Sequence, residues 1–98
     1  MVRFMPYQLV VQRVKDYKQW KAVFDEHINK RKELGSKGAK IFRNSEKPNE
    51  ILVLVEWEDL SKSREFMKWG DPKEIRKKAG LIDQPNQYLL EQIATVVA

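Results

Sequence analysis

Apolar and β-branched residues cluster in short segments that predict strands. YQLVVQRV (7–14) is the first, and KGAKIFRN (37–44) and EILVLVEW (50–57) are the next two. The polar stretch SEKPN (45–49) between the second and third segments supplies turn residues, so this pair predicts a β-hairpin. QYLLEQIA (87–94) predicts the last strand, with TVVA as its continuation or as a frayed end.

A helical pattern fills the stretch between the first two strands. DYKQWKAVFDEHINKR (16–31) places its apolar residues on one stripe at about 100° per residue. Asp16 has the chemistry of an N-cap, and Gly35 follows a run of basic residues, as is typical of a helix end. The pattern therefore predicts one helix that begins after Asp16 and ends at Gly35.

The second half of the chain predicts further helices before the last strand. Asp59 or Ser61 caps the first of them, which ends near Gly70. The run DPKE (71–74) then starts a helix again, with aspartate at the cap, proline at the first position and glutamate at the third. This last helix stops at Gly80.

The predicted order is strand, helix, strand, strand, helices, strand. With right-handed crossovers this order gives the ferredoxin-like split βαβ arrangement of the α+β class. We expect a four-stranded antiparallel sheet with its helices on one face. The chain, residues 1–98, is short enough to form a single domain.

The third strand is apolar on both of its faces. Ile51, Val53 and Val55 point one way, and Leu52 and Leu54 point the other. Helices on one side of an antiparallel sheet leave the second face to water, where polar residues are expected. Either this apolar row is tolerated in water or another copy of the chain covers it. The sequence predicts a homodimer joined through its β-sheets.

Two titratable residues lie in the middle of the apolar stripe of the first helix. His27 and Arg31 share that stripe with Trp20 and Phe24, and Tyr17 flanks it. His27 either packs with a hydrogen-bonded ring or projects into a pocket as a general base. Arg31 either extends to water or, with His27, binds an anionic or enolate-like oxygen. We take His27 and Arg31 as the candidate catalytic pair.

Composition excludes several kinds of chemistry. With no cysteine and one histidine, the chain has neither disulfides nor a sulfur-ligated or multi-histidine metal site. It has no glycine-rich phosphate loop, so no cofactor is predicted. No apolar run is long enough to span a membrane, and MVRFMPYQ is not a leader pattern, so the expected location is the cytoplasm.

The net charge of +5 invites a nucleic-acid interpretation. The basic clusters NKRKE (29–33) and EIRKK (74–78) both lie in predicted helices and contain glutamates. No recognised nucleic-acid motif accompanies them, so no nucleic-acid partner is predicted.

The chain resembles the dimeric α/β-barrel superfamily, in particular the antibiotic-biosynthesis-monooxygenase-like domains. The resemblance runs from YQLVVQRV through DYKQWKAVFDEH and NEILVLVEWEDL to YLLEQI, and its most recognisable piece is VEWE (55–58) before the second helix region. It implies a dimer with a pocket in each protomer between helices and sheet. Such proteins include cofactor-free quinone-forming monooxygenases, heme-degrading enzymes, small isomerases and many proteins without a known activity.

The resemblance also points to individual residues. Trp57 matches the tryptophan that faces the pocket in heme-degrading and some quinone-forming relatives. The histidine of the heme-degrading relatives falls here at Met67, or at Phe66 with a shift of one residue, and their first-strand asparagine has no counterpart. The sequence therefore does not predict heme degradation. The candidate ligand-binding residues are Tyr17, Trp20, Phe24, Trp57 and Met67.

Two functions remain open from the sequence. The first is a cofactor-independent monooxygenase-like or isomerase-like enzyme that acts on an aromatic or polyketide-type small molecule. The second is a non-catalytic dimer that binds a small molecule or is purely structural. An open cavity in which His27, Arg31 and another polar group converge favours the enzyme, whereas a filled core with Arg31 in water favours the second function.

Overall fold

A computed structural model describes residues 6–98, so the N-terminal residues 1–5, which belong to the segment tested for a leader, lie outside the described part. Strands and helices follow the order that the sequence predicts, with one additional break in the first helix. The elements are β1 (Pro6–Arg13), α1 (Tyr17–Glu26), α2 (Ile28–Glu33), β2 (Ser36–Arg43), β3 (Glu50–Trp57), α3 (Leu60–Lys68), α4 (Pro72–Ala79) and β4 (Asn86–Glu91).

The four strands form one antiparallel sheet in the order β2-β3-β1-β4. The two central strands are β3 and β1, and Val10 lies opposite Val53 at the middle of their pairing. The last strand is shorter than the predicted segment, because residues 92–98 form no regular element. The predicted α+β fold with a four-stranded antiparallel sheet is confirmed.

The predicted caps of the helices are present. Asp16 accepts a hydrogen bond from the backbone N–H of Lys18, and Asp59, rather than Ser61, caps α3. Asp71 accepts from the backbone N–H of Glu74 at 3.3 Å. Gly80 ends α4 in the left-handed conformation with φ of 75°, which glycine adopts without steric cost.

The single helix predicted up to Gly35 is wrong in one respect, because it is divided at His27. The backbone N–H of His27 donates to the carbonyl of Phe24, and its φ of −104° and ψ of 9° depart from helical values. The break lets α1 pack against α4 while α2 packs against β2. No glycine or proline marks this position, so the sequence pattern does not reveal the break.

The two faces of the sheet have different environments. Ile51, Val53, Val55 and Trp57 of β3 are buried beneath the helices and form the core with Val14, Trp20, Val23 and Ala79. The opposite face has no helix on it in the described chain. We call it the uncovered face; its central apolar side chains are Leu9, Val11, Phe42, Leu52, Leu54, Tyr88 and Leu90.

Candidate functional site

A cavity of about 200 Å³ lies between the helices and the covered face of the sheet. We call it the central cavity. Strands β1, β3 and β4 form its floor, α1 and α2 form one wall, and α3 with α4 forms the other. Its lining is mostly apolar, with a few polar side chains directed inward, as is common in small-molecule sites.

All three tryptophans of the chain line the central cavity. Trp20 of α1 stacks on Phe24 with ring centres 5.1 Å apart, and Trp57 at the end of β3 is fully buried against Phe66. Trp69 follows α3 and is 37% exposed, so it stands at the rim. These rings offer flat apolar surfaces that suit an aromatic ligand.

A short chain of hydrogen bonds crosses the floor. The indole Nε1 of Trp57 donates to Oε1 of Gln8 at 3.1 Å, and Nε2 of Gln8 donates to Oε1 of Gln87 at 3.2 Å. Because an indole N–H can only donate, the orientation of both amides follows from Trp57. Among residues 6–98 no acceptor pairs with the amide nitrogen of Gln87, so it is the donor at the end of this chain of hydrogen bonds.

Gln12 is the other amide on the floor. It lies on β1 on the same face as Gln8 and is 8% exposed. Within residues 6–98 its side chain takes part in no hydrogen bond, and no fully buried polar atom lacks a partner. Its amide group therefore reaches the open space of the cavity, where a ligand or water can pair with it.

Arg31 is buried in the wall that α2 contributes. Only 6% of the residue is exposed, and its Cζ lies 3.7 Å from the centre of the Phe24 ring. In the described chain no carboxylate forms an ion pair with it. Burial lowers the pKa of Arg31 to about 10, against the opposing charge of Asp25, which is itself paired with Lys21.

His27 lies one helical turn before Arg31, and its carbonyl accepts the backbone N–H of Arg31 at 3.0 Å. Its ring lines the central cavity and contacts Trp69 edge to face, with ring centres 5.2 Å apart. No side-chain hydrogen bond holds the imidazole within residues 6–98, so its ring nitrogens are available to a ligand.

Most of the residues singled out from the sequence come together here. His27, Arg31, Trp20, Phe24, Trp57 and Met67 all line the central cavity. Tyr17 is the exception, because its ring packs beside Trp20 outside the cavity and lies under the guanidinium of Arg43.

Other lining residues were missed. Trp69 and the glutamines Gln8, Gln12 and Gln87 are among them. Gln8 and Gln12 are four residues apart on a strand, which places them on one face, and this spacing was the available signal. Within residues 6–98 no three metal-binding side chains are grouped closely enough to hold a metal ion.

Solved structures with this architecture define its fold class. A candidate antibiotic biosynthesis monooxygenase from Bordetella bronchiseptica is 17% identical, with a TM-score of 0.78 over 94% of this chain and 100% of that chain. SnoaB, a cofactor-independent oxygenase from Streptomyces nogalater, is 13% identical, with a TM-score of 0.75 over 96% of this chain and 98% of that chain. The fold is thus that of the antibiotic-biosynthesis-monooxygenase-like domains, as the sequence resemblance predicts.

A third similar structure is named only as a conserved protein, from Methanosarcina mazei Go1. It is 16% identical and has a TM-score of 0.69 over 89% of this chain and 92% of that chain. No family model matches the sequence, and no curated protein matches it either. What these proteins share with the chain at such identities is the fold.

Proposed function

We propose that the protein is a cofactor-independent monooxygenase-like enzyme that acts on an aromatic small molecule with an enolisable ketone or an oxygen-reactive phenol. The observation that carries the proposal is the buried Arg31, which forms no ion pair with any described residue and lines a cavity walled by tryptophans. A group of this kind suits an oxygen that becomes negatively charged. The similarity to SnoaB supports the same class of reaction.

In this proposal the side chains of the cavity prepare the substrate to react with dioxygen. His27 takes a proton from the substrate, since its ring faces the cavity and an imidazole nitrogen is a common general base. Arg31 and the amides of Gln12 and Gln87 stabilise the resulting anion. The electron-rich anion then reduces dioxygen directly, and the aromatic walls keep bulk water away.

Anthrone is a suitable test substrate because it is an enolisable aromatic ketone. One anthrone and one dioxygen give one anthraquinone and one water, so product absorbance and oxygen consumption should rise together. The wild-type chain should accelerate both over buffer. His27→Ala should lower the rate by about 100-fold or more, the usual contribution of a general base. Asn29→Ala, an exposed change on α2, is the matched control and should keep the wild-type rate.

An anaerobic measurement separates oxygenation from isomerase-like proton transfer. Without dioxygen, the methylene hydrogens of anthrone should exchange with deuterium oxide faster in the presence of the wild-type chain, as followed by NMR. Exchange without quinone formation in air would reassign the protein to isomerase-like chemistry. If the wild-type chain raises neither the exchange rate nor the oxidation rate above that in buffer, an enzymatic role is refuted. Lost thermal stability of His27→Ala with an unchanged rate would make His27 structural.

A non-catalytic binding protein is the second candidate. The observation in its favour is the size of the cavity, about 200 Å³, which is below the range of roughly 300 to 1,000 Å³ of most ligand sites. Mass spectrometry of small molecules that co-purify with the native protein tests it. A bound aromatic molecule that is recovered chemically unchanged after incubation in air would favour binding over catalysis.

We propose that the working form is a homodimer joined through the uncovered faces of the sheets. The support for it is the row of apolar side chains that none of the described helices covers. The lack of cysteine supports our proposal of a cytoplasmic location. None of the described helices has the length and apolar character to cross a membrane.

A further inference from the structure

The central cavity is lined by positive charge, and none of the described residues that line it is a carboxylate. Arg31 and Arg76 both line it, and no aspartate or glutamate is among its lining residues within the described chain. Arg31 is almost fully buried and Arg76 is partly buried. A buried cation without a partner is costly, and a ligand that brings the opposite charge offsets that cost.

The contacts of Arg31 indicate which chemical group of a ligand would pair with its guanidinium. The Phe24 ring covers one face of the guanidinium at 3.7 Å, so its N–H groups are offered along its edge. A carboxylate accepts two parallel hydrogen bonds from such an edge. A phenol or an enol is neutral at pH 7, so before any proton transfer it would leave the charge of Arg31 unbalanced.

The floor of the cavity offers neutral groups instead of charges. The hydrogen-bond chain from Trp57 through Gln8 leaves the amide nitrogen of Gln87 as a donor, and no described residue pairs with the amide of Gln12. These groups suit a carbonyl or hydroxyl oxygen. The cavity therefore has a cationic wall for one end of a ligand and an amide floor for a neutral oxygen elsewhere on it.

We propose that the ligand is an aromatic carboxylate. Its carboxylate group binds Arg31, and a carbonyl or hydroxyl oxygen carried on its ring contacts Gln12 and Gln87. The inference rests on the proposed function, in which the cavity holds an aromatic molecule, and it adds the group that anchors this molecule. For a ligand of this kind the carboxylate occupies Arg31. Of the three groups that the proposed function assigns to the developing anion, the amides of Gln12 and Gln87 then keep that role.

Isothermal titration calorimetry at pH 7 with three probes on the same ring system tests the anchor. The probes are 2-naphthoate, its neutral amide 2-naphthamide, and 2-naphthol. Wild-type protein should bind 2-naphthoate about tenfold or more tightly than either neutral probe, as expected for a desolvated charge pair. Arg31→Gln should remove this preference, and Arg31→Lys should keep part of it.

Arg43→Gln is the matched control, because Arg43 also lies over an aromatic ring but is exposed outside the cavity. It should keep the wild-type preference for 2-naphthoate. Similar affinities for all three probes would overturn the carboxylate anchor and leave the aromatic cavity in place. No binding of any probe would overturn both proposals. The comparison of the three probes on the wild-type protein decides these outcomes even if Arg31→Gln does not fold. If Arg31→Gln folds and still prefers 2-naphthoate, the role of Arg31 is overturned.

Discussion

Gln8 determines which way the amide of Gln87 points on the floor of the cavity. It is 2% exposed and lies between a buried tryptophan, which can only donate, and Gln87. This fixed direction makes the amide nitrogen of Gln87 an oriented donor. Chains of hydrogen bonds in a buried, low-dielectric site also strengthen one another. The site therefore depends on a residue whose own polar atoms are already used by the protein.

Gln8→Leu should lower the free energy of unfolding by about 1 to 3 kcal/mol, because it leaves the buried N–H of Trp57 without an acceptor. Urea unfolding measures this loss. Trp57→Phe removes the donor, so the double variant should be less unstable than the sum of the two single variants. Strict additivity in this cycle would show that the hydrogen bond contributes nothing to stability.

Arg31→Met should leave the free energy of unfolding unchanged or raise it by up to about 2 kcal/mol, because it removes a buried charge that forms no ion pair within residues 6–98. Burial lowers the pKa of Arg31 to about 10, so above that pH the folded chain releases a proton that the unfolded chain still holds. The free energy of unfolding of the wild-type chain therefore increases relative to that of the variant as the pH rises. The difference between the two proteins becomes smaller. Urea unfolding of both proteins at pH 7 and above pH 10 measures it.

Arg43→Met serves as the control for this comparison. Its guanidinium lies over Tyr17 but is exposed, so its loss should cost at most about 1 kcal/mol at any pH. A large loss of stability in Arg31→Met at pH 7 would mean that the arginine is a structural member of the core. In that case the charge of Arg31 would serve the fold and would not indicate a ligand.

At the scale of elements, strand alternation predicts which residues share a face but not which face the helices cover. On β1, Leu9 and Val11 lie on one face and Gln8 and Gln12 on the other. Polar residues would ordinarily face water, yet the helices cover the glutamines and leave the leucine and valine on the uncovered face. The order of elements and the helix stripe were therefore predictable from the sequence, whereas the amide floor was not.

The break at His27, like the choice of the covered face of the sheet, was not predictable from the sequence. The periodicity of residues 16–34 is continuous, and no local residue forces a turn. The break is favoured by tertiary packing, with α1 against α4, α2 against β2 and the His27 ring against Trp69. Such contacts join residues far apart in sequence, which a local pattern does not report. His27, at the junction of α1 and α2, and Arg31 of α2 both lie on the cavity wall.

At the scale of the whole molecule, the uncovered face is the feature that a single chain does not explain. Leu54 lies at its centre, opposite Leu9 on one side and Lys40 on the other. A chain of 98 residues has a small core, so burying this face against a second copy would add considerably to its stability. Two sheets packed face to face keep their helices outside, so each protomer retains its own central cavity.

Leu54→Lys should therefore convert the proposed dimer into a folded monomer, because it places charges at the centre of the proposed interface while it leaves the covered face unchanged. Sedimentation velocity at low micromolar protein measures the mass, and circular dichroism checks the fold. Ile28→Lys, the same change at an exposed site on α2, should remain dimeric. A wild-type chain that sediments as a monomer at every concentration would contradict the dimer, and the apolar face would then have to be stable in water.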